Sequence, residues 1–298
     1  MQSESVGAMR NTAPTADVTS LWTLAVFFLL SLASSWAVWL WPLERQGSWI
    51  LVVLGWQFKI PFLLAKLVVG NCLPGILAVI WAIFEGRGQF RRMLSTLTKW
   101  NTPLKWYLVA FALPCGVSLI ALDAVLLYFP TEHHFPPVTE FFNTLLMTLP
   151  FGPLWEELAW RAFALRKLES RYPRLVSALL LGVYWGVWHI PLWLVEINRV
   201  PVNKTSYLFT GLVTLIAWSV VCAYLYHRSS ESLPVVILLH ATYGAATTQA
   251  GLVVPQFNVY ATYVSAALAV CLAVILARAL GAGGEPFRAA PVSSPDTT

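Results

Sequence analysis

Hydrophobic stretches long enough to cross a bilayer recur from one end of this chain to the other, and no other feature restricts its possible folds so severely. About eight such runs stand out between breakers, at residues 21–41, 61–84, 106–129, 138–166, 175–197, 206–226, 233–253 and 260–280. Each meets or exceeds the length of roughly 20 residues that an α-helix needs to span about 30 Å of hydrocarbon. Transmembrane strands would instead alternate polar and apolar residues over about ten positions, a pattern these runs lack. Because lipid offers no partner to the backbone, the fold expected is an all-α, polytopic membrane bundle of about eight transmembrane helices. Composition agrees: 58% of residues are hydrophobic and 11% charged, with a mean hydropathy of +0.67, too little polar material to clothe a soluble core of this size.

Residues 1–19 are polar and read as a cytoplasmic N-terminus, residues 20–280 as the membrane-embedded bundle, and residues 281–298, rich in Gly, Pro and Ser, as a flexible tail. The first apolar run is too long for a signal-peptide core and is expected to remain as an anchor. The net charge of +5 could suggest nucleic acid. The basic residues, however, are parcelled into short loops and form no patch with interleaved aromatics, which argues against a nucleic-acid partner. Their asymmetry reports topology instead. Most of the 19 Lys and Arg fall on one side if both termini are cytoplasmic, as in a multi-pass cell-membrane protein, while Arg45, Lys59, Arg199 and Lys204 fall on the other. Cys72, Cys115, Cys222 and Cys271 lie within apolar runs and form no CxxC, so they read as packing residues.

Ionisable residues within spans cost a few kcal/mol each and need a reason to be there. The fourth run begins apolar, carries Pro150 and Pro153, and then continues in helical pattern into Glu156 and Glu157. Glu157 and Arg161 stand at i, i+4, where side chains pair on one face. Glu156 lies about 100° round the helix and lacks that partner. One carboxylate is thus expected to be structural and the other free to act as a base. In the fifth run, His189 shares a face with Ala178, Gly182, Trp185 and Gly186, and Gly182 to Gly186 is a GxxxG that permits close helix approach. In the seventh, His240 lines up with Val236, Gly244, Thr247 and Gly251. A carboxylate and two imidazoles offered to one interior suit activation of a water and stabilisation of an oxyanion. Counted from the cytoplasmic ends, His189 lies roughly 20 Å along its helix and His240 about 10 Å, so boundaries or tilts must differ from this simple scheme if the two meet.

The order Glu156-Glu157-x-x-x-Arg161, Trp185-x-x-x-His189 and then His240 resembles the three motifs of the CAAX protease and bacteriocin-processing family, over roughly residues 80–250. The stretch from Phe84 to Leu108 also resembles the basic loop before the third helix in bacterial members. The resemblance implies an intramembrane glutamic endopeptidase, akin to type II CAAX prenyl proteases, acting on a membrane-associated protein or peptide without metal or other cofactor. By the same resemblance, Glu156 would be the general base, His189 would hold and polarise the water, and His240 would bind the oxyanion. Glu157 and Arg161 would fix the site. Two positions depart from the family pattern. Trp185 replaces a usual Phe, and Gly244 stands where the third motif usually ends in Asn, so that donor is missing unless Thr247, Thr248 or a backbone group replaces it.

Other readings remain. Two His and a Glu can bind zinc, although the i, i+4 His pair of helical zinc proteases is absent. A bacteriocin-immunity or scaffold protein would keep the fold without catalysis. A proton-relaying transporter would be expected to carry inverted repeats, and none is visible. Asp123 is expected as a buried polar contact, His227 as interfacial, and Glu132, His133 and His134 as solvated.

Overall fold

A computed structural model describes residues 19–41, 48–53, 56–128, 134–197, 204–253 and 257–281. The expected N-terminal segment to residue 18, the tail from residue 282, Glu132, His133, Arg45 and Arg199 lie outside the described residues. The chain folds as an all-α bundle. Its helices are α1 (Thr19–Leu40), α2 (Phe62–Phe84), α3 (Arg87–Leu97), α4 (Leu104–Tyr128), α5 (Val138–Thr148), α6 (Pro153–Glu157), α7 (Arg166–Glu169), α8 (Arg174–Ile197), α9 (Lys204–Arg228), α10 (Leu233–Val253) and α11 (Phe257–Gly281). An antiparallel hairpin of β1 (Ser48–Val53) and β2 (Trp56–Pro61) joins α1 to α2, with Ser48 opposite Pro61.

Among the described residues, six helices (α1, α2, α4, α8, α9 and α11) are long and apolar enough to cross a membrane. Large apolar side chains such as Trp22, Leu119, Leu127 and Ile275 face outward from them, as lipid-facing surfaces require. The protein is therefore an integral membrane protein. The seventh expected run is the 21-residue α10. The basic stretch after Phe84, expected as a loop, is the short helix α3, which carries Arg87, Arg91 and Arg92.

The fourth run departs most from expectation, because it is not one continuous helix. The chain leaves the helix at residues 149–152 and re-enters with Pro153 at the first position of α6, where a missing N–H costs no intrahelical bond. From Leu158 to Leu165 it is a π-helix, closing i→i+5 hydrogen bonds, and α7 follows. All eight residues of the π-helix are buried, and around it the core gathers Phe27, Trp188, Leu181, Val221 and Leu239.

Hydrogen bonds and close contacts hold the surrounding helices in place. Trp36 Nε1 donates to the Trp188 carbonyl (3.0 Å) and Tyr184 Oη to that of Phe28 (2.8 Å), which fastens α1 to α8. Ser219 Oγ donates to the Ala178 carbonyl (2.8 Å), fastening α9 to α8. Gly182 and Gly186 do permit close approach, and the helix they admit is α9. A Cβ on Gly182 would sit 2.7 Å from Ile216 Cα, and one on Gly186 would sit 2.4 Å from Leu212 Cδ1.

The turn between α9 and α10 is inset into the protein. Ser229, Ser232 and Leu233 are buried, and Ser230 and Glu231 take left-handed φ values of 59° and 63°. The α3–α4 connection covers this turn: Ser232 Oγ donates to the Lys99 carbonyl (2.6 Å) and Thr102 Oγ1 to that of Ser229 (3.2 Å). Because α10 starts beneath the surface, its seventh residue beyond Leu233, His240, reaches the depth of His189. At the same end of the bundle Glu231 pairs with Lys99 (3.5 Å) and Arg166 (3.7 Å), and Lys167 pairs with Glu85. His227, expected at the interface, pairs with Glu169 at 2.6 Å and is largely buried. Asp123, expected to be buried, has an exposed side chain near the end of α4.

Replacing Gly182 by Ala must push α8 and α9 backbones apart and is expected to cost about 1–3 kcal/mol, as overpacking does. Gly116, where an added Cβ meets nothing within 4 Å, supplies the control. Thermal unfolding in detergent should show a lowered midpoint for Gly182→Ala and none for Gly116→Ala; equal midpoints would contradict the packing described.

Candidate active site

Glu156 and Glu157 lie on the last turn of α6, and both are buried, at 3% and 0% exposure. Their environments differ. Glu157 Oε1 accepts hydrogen bonds from Arg161 Nη1 (3.0 Å) and His240 Nδ1 (2.8 Å). Arg161 is itself 0% exposed, so this is an ion pair removed from solvent, with the imidazole as its third member. Glu156 Oε2 accepts hydrogen bonds from the indole N–H of Trp185 (2.9 Å) and, more loosely, that of Trp160 (3.4 Å). Its other oxygen, Oε1, lies towards Gly152, within 3.7 Å of the point a Cβ there would occupy, and makes no hydrogen bond among the described residues.

The π-helix explains the pairing within this segment. Four residues of α-helix overshoot a full turn by about 40°. The wider π turn advances less per residue, so side chains four apart come closer to eclipse. Arg161 thus stands over Glu157, and Trp160 over Glu156. Neither partnership depends on a long-range loop.

Trp185, on α8, joins the remaining groups. The Arg161 guanidinium lies 4.6 Å from the centre of its ring, a cation–π contact made where water is excluded. The same ring meets His240 edge-on at 5.4 Å and His189 at 5.8 Å. The two histidines expected at different depths therefore flank one indole.

Hydrogen bonds also set the histidine tautomers. His189 Nδ1 lies 2.9 Å from the Trp185 carbonyl, which can only accept, so Nδ1 carries a proton and Nε2 is left for another partner. The ring is held edge-on by Trp188 and stacked by Trp193. His240 Nδ1 likewise donates to the Glu157 carboxylate and leaves its Nε2 available. His240 keeps 16% side-chain exposure while Glu157 behind it has none, so the open side of the cluster is the imidazole side.

The structure brings all five expected residues, Glu156, Glu157, Arg161, His189 and His240, into one cluster spanning α6, the π-helix, α8 and α10. Gly244 lies one turn beyond His240, with nothing within 4 Å of an added Cβ. Thr247 and Thr248 do not replace the missing donor. The Thr247 hydroxyl donates to the carbonyls of Tyr243 (2.9 Å) and Gly244 (3.1 Å), and that of Thr248 to Gly244 (2.8 Å).

The sequence reading missed the two indole donors to Glu156. The i, i+4 spacing of Glu156 and Trp160 was available as a signal, but Trp185 gave none beyond its being aromatic. It also missed Asn71 on α2, a lone amide in an apolar run, which lies beside Gly152. Among the described residues, no group of three or more His, Cys, Asp or Glu is placed to hold a metal ion. A separate cavity of about 920 Å³ opens between α1, α2, α3 and α7, lined by Leu77, Trp81, Arg92 and Arg166 among others. It touches the π-helix through Ala162 and Phe163, and none of the five clustered residues lines it.

Comparison with known proteins gives two concordant matches. Residues 138–246 match the family model described as type II CAAX prenyl endopeptidase Rce1-like. The CAAX prenyl protease 2 of Methanococcus maripaludis is 26% identical over 102 residues, a match covering 33% of this chain and 38% of that protein. The chain thus aligns with little more than a third of the relative's length. All five clustered side chains, and Trp160 and Trp185 with them, fall inside the stretch that is similar to the CAAX prenyl endopeptidase family.

Proposed function

We propose that this protein is an intramembrane endopeptidase in which Glu156 activates the hydrolytic water, acting on a membrane-associated protein or peptide such as a prenylated CAAX-type or leader-peptide substrate. The observation that carries the reading is the unequal treatment of two adjacent carboxylates. Glu157 is neutralised by Arg161 and His240, whereas Glu156 has one oxygen held by two indoles and the other left to a proton. Neutral N–H donors orient a carboxylate without supplying the full positive charge that would make it a poor base.

In the reaction, water gives a proton to Glu156 Oε1 as its oxygen attacks the scissile carbonyl carbon. His189, through Nε2, accepts a hydrogen bond from the same water and orients it. His240, charged beside Glu157, donates from Nε2 to the developing oxyanion, a contact that strengthens as charge builds. Collapse of the tetrahedral intermediate breaks the C–N bond, and Glu156 returns its proton to the leaving amine. Glu157 and Arg161 hold His240 and Trp185 in place throughout. No metal takes part in these steps.

The charge distribution supports a cytoplasmic position for both termini. The basic α3, the α3–α4 connection, α7 and the α9–α10 turn meet at one end of the bundle through the pairs of Glu231 and Glu85. A second reading is favoured by Gly244: a non-catalytic membrane partner that has kept the fold while losing an oxyanion donor.

With a quenched, farnesylated CAAX peptide in proteoliposomes, Glu156→Gln and His189→Ala should each lower kcat by about 10²–10⁴-fold, the usual contribution of a positioned acid–base group. Full activity in either variant would sink the mechanism. Cleavage should survive a zinc chelator; its loss, restored by zinc, would favour a metal held by Glu156, His189 and His240. Gly244→Asn should raise kcat if the site is catalytic, while a biological phenotype unaffected by Glu156→Gln would favour the partner reading. Reporter fusions at the two termini should both report the cytoplasm.

A further inference from the structure

The mechanism leaves one polar side chain beside the cluster unused. Asn71 lies in the middle of α2, among residues that otherwise suit lipid or core, and its Oδ1 is buried with no hydrogen-bond partner among the described residues. A polar amide in a membrane span carries a desolvation cost and is a candidate for a functional role. Its placement is tightly determined. Gly75, one turn further along α2, brings that helix against the backbone of α6: a Cβ on Gly75 would stand 2.4 Å from the Trp155 carbonyl oxygen and 2.8 Å from Trp155 Cα. Residues four apart share a helix face, so Asn71 is directed at the same stretch of chain. Asn71 Nδ2 lies 3.5 Å, and Glu156 Oε1 3.7 Å, from one point, the position a Cβ on Gly152 would take. The amide N–H and the unpaired carboxylate oxygen thus border the same small space, kept open because residue 152 is glycine.

We propose that Asn71 is a further catalytic residue, its Nδ2 donating to the oxyanion of the tetrahedral intermediate from α2 while His240 donates from α10. The inference rests on the endopeptidase reading above. A base takes a proton from water immediately next to the carbonyl under attack, so a donor bordering Glu156 Oε1 is within reach of the oxygen on which charge develops. An amide suits the position because it donates without a charge that would draw the proton away from Glu156. It also offsets the absence of a side chain at Gly244, on the α10 side of the cluster.

The test uses the full chain in proteoliposomes with the same farnesylated peptide, measuring kcat, KM and the unfolding midpoint. Asn71→Ala should lower kcat by about 100-fold, the low end for loss of one oxyanion donor, with KM and midpoint nearly unchanged. Gly152→Ala is an independent probe. Its methyl would meet Asn71 and Glu156 at ordinary contact distances, so the fold should accept it, yet it fills the space between them. It should lower kcat to a similar extent, and the double variant should be little worse than either single one. A normal kcat in Asn71→Ala, with Glu156→Gln inactive, overturns the inference and leaves the endopeptidase reading standing. So does a kcat loss in Asn71→Ala accompanied by a normal kcat in Gly152→Ala, because the loss would then be structural. Cleavage by Glu156→Gln at the normal rate would instead remove the reading on which the inference rests.

Discussion

A carboxylate with no access to solvent, shared between a guanidinium and an imidazole, is the constraint around which this molecule is arranged. Removing Glu157 and Arg161 from water is costly, and their attraction offsets that cost only when geometry is held closely. The π-helix holds it from one side by bringing Arg161 over Glu157, and α10 from the other by delivering His240 at 2.8 Å. The Arg161 face not used by Glu157 rests on Trp185, whose N–H in turn fixes Glu156. The buried pair therefore orients three groups that do not themselves belong to it. A buried ion pair is by itself weak evidence of net stability, and what the geometry shows of this one is the orientation it imposes.

Much of this was legible from residues alone. The Glu157–Arg161 pair follows from spacing, and the inward placement of both histidines follows from the small residues that share their faces. The membrane class follows from run length. What sequence periodicity could not convey is the hydrogen-bond pattern between Leu158 and Leu165, since α- and π-helices draw on the same residues. The break at residues 149–152 was signalled by Pro150 and Pro153 but obscured by the helical pattern on either side. The depth mismatch between His189 and His240 had a cause that no local pattern records: the start of α10 is inset beneath the α3–α4 connection, and only tertiary contacts such as Ser232 to Lys99 reveal it. Asp123 shows the converse limit. An acid in an apolar run was expected to be inward, yet it lies near a helix end, where outward exposure is tolerated.

Close helix approach serves two separate purposes in the bundle. Gly182 and Gly186 bring α9 against α8 and so set the platform from which Trp185 and His189 project. Gly75 brings α2 against α6 and so closes the other side of the carboxylate. In a bilayer, where burying apolar surface gives little drive to associate, such glycine contacts and the interhelical bonds of Ser35, Trp36, Tyr184 and Ser219 are the means of fixing one arrangement.

The π-helix also makes segment length a determinant of the geometry, separate from residue identity. In that stretch each turn holds more residues than an α-turn does, so the chain beyond it leaves at an angle that depends on how many residues lie between Glu157 and Arg166. Removing a single apolar residue there could let the helix relax to the α form while every charged and aromatic group of the cluster remained in the sequence. Arg166 and Glu169, beyond the segment, would then turn from Glu231 and His227. Relatives that kept all the motif residues but differed by one position in this interval would carry the signature of the site without its geometry.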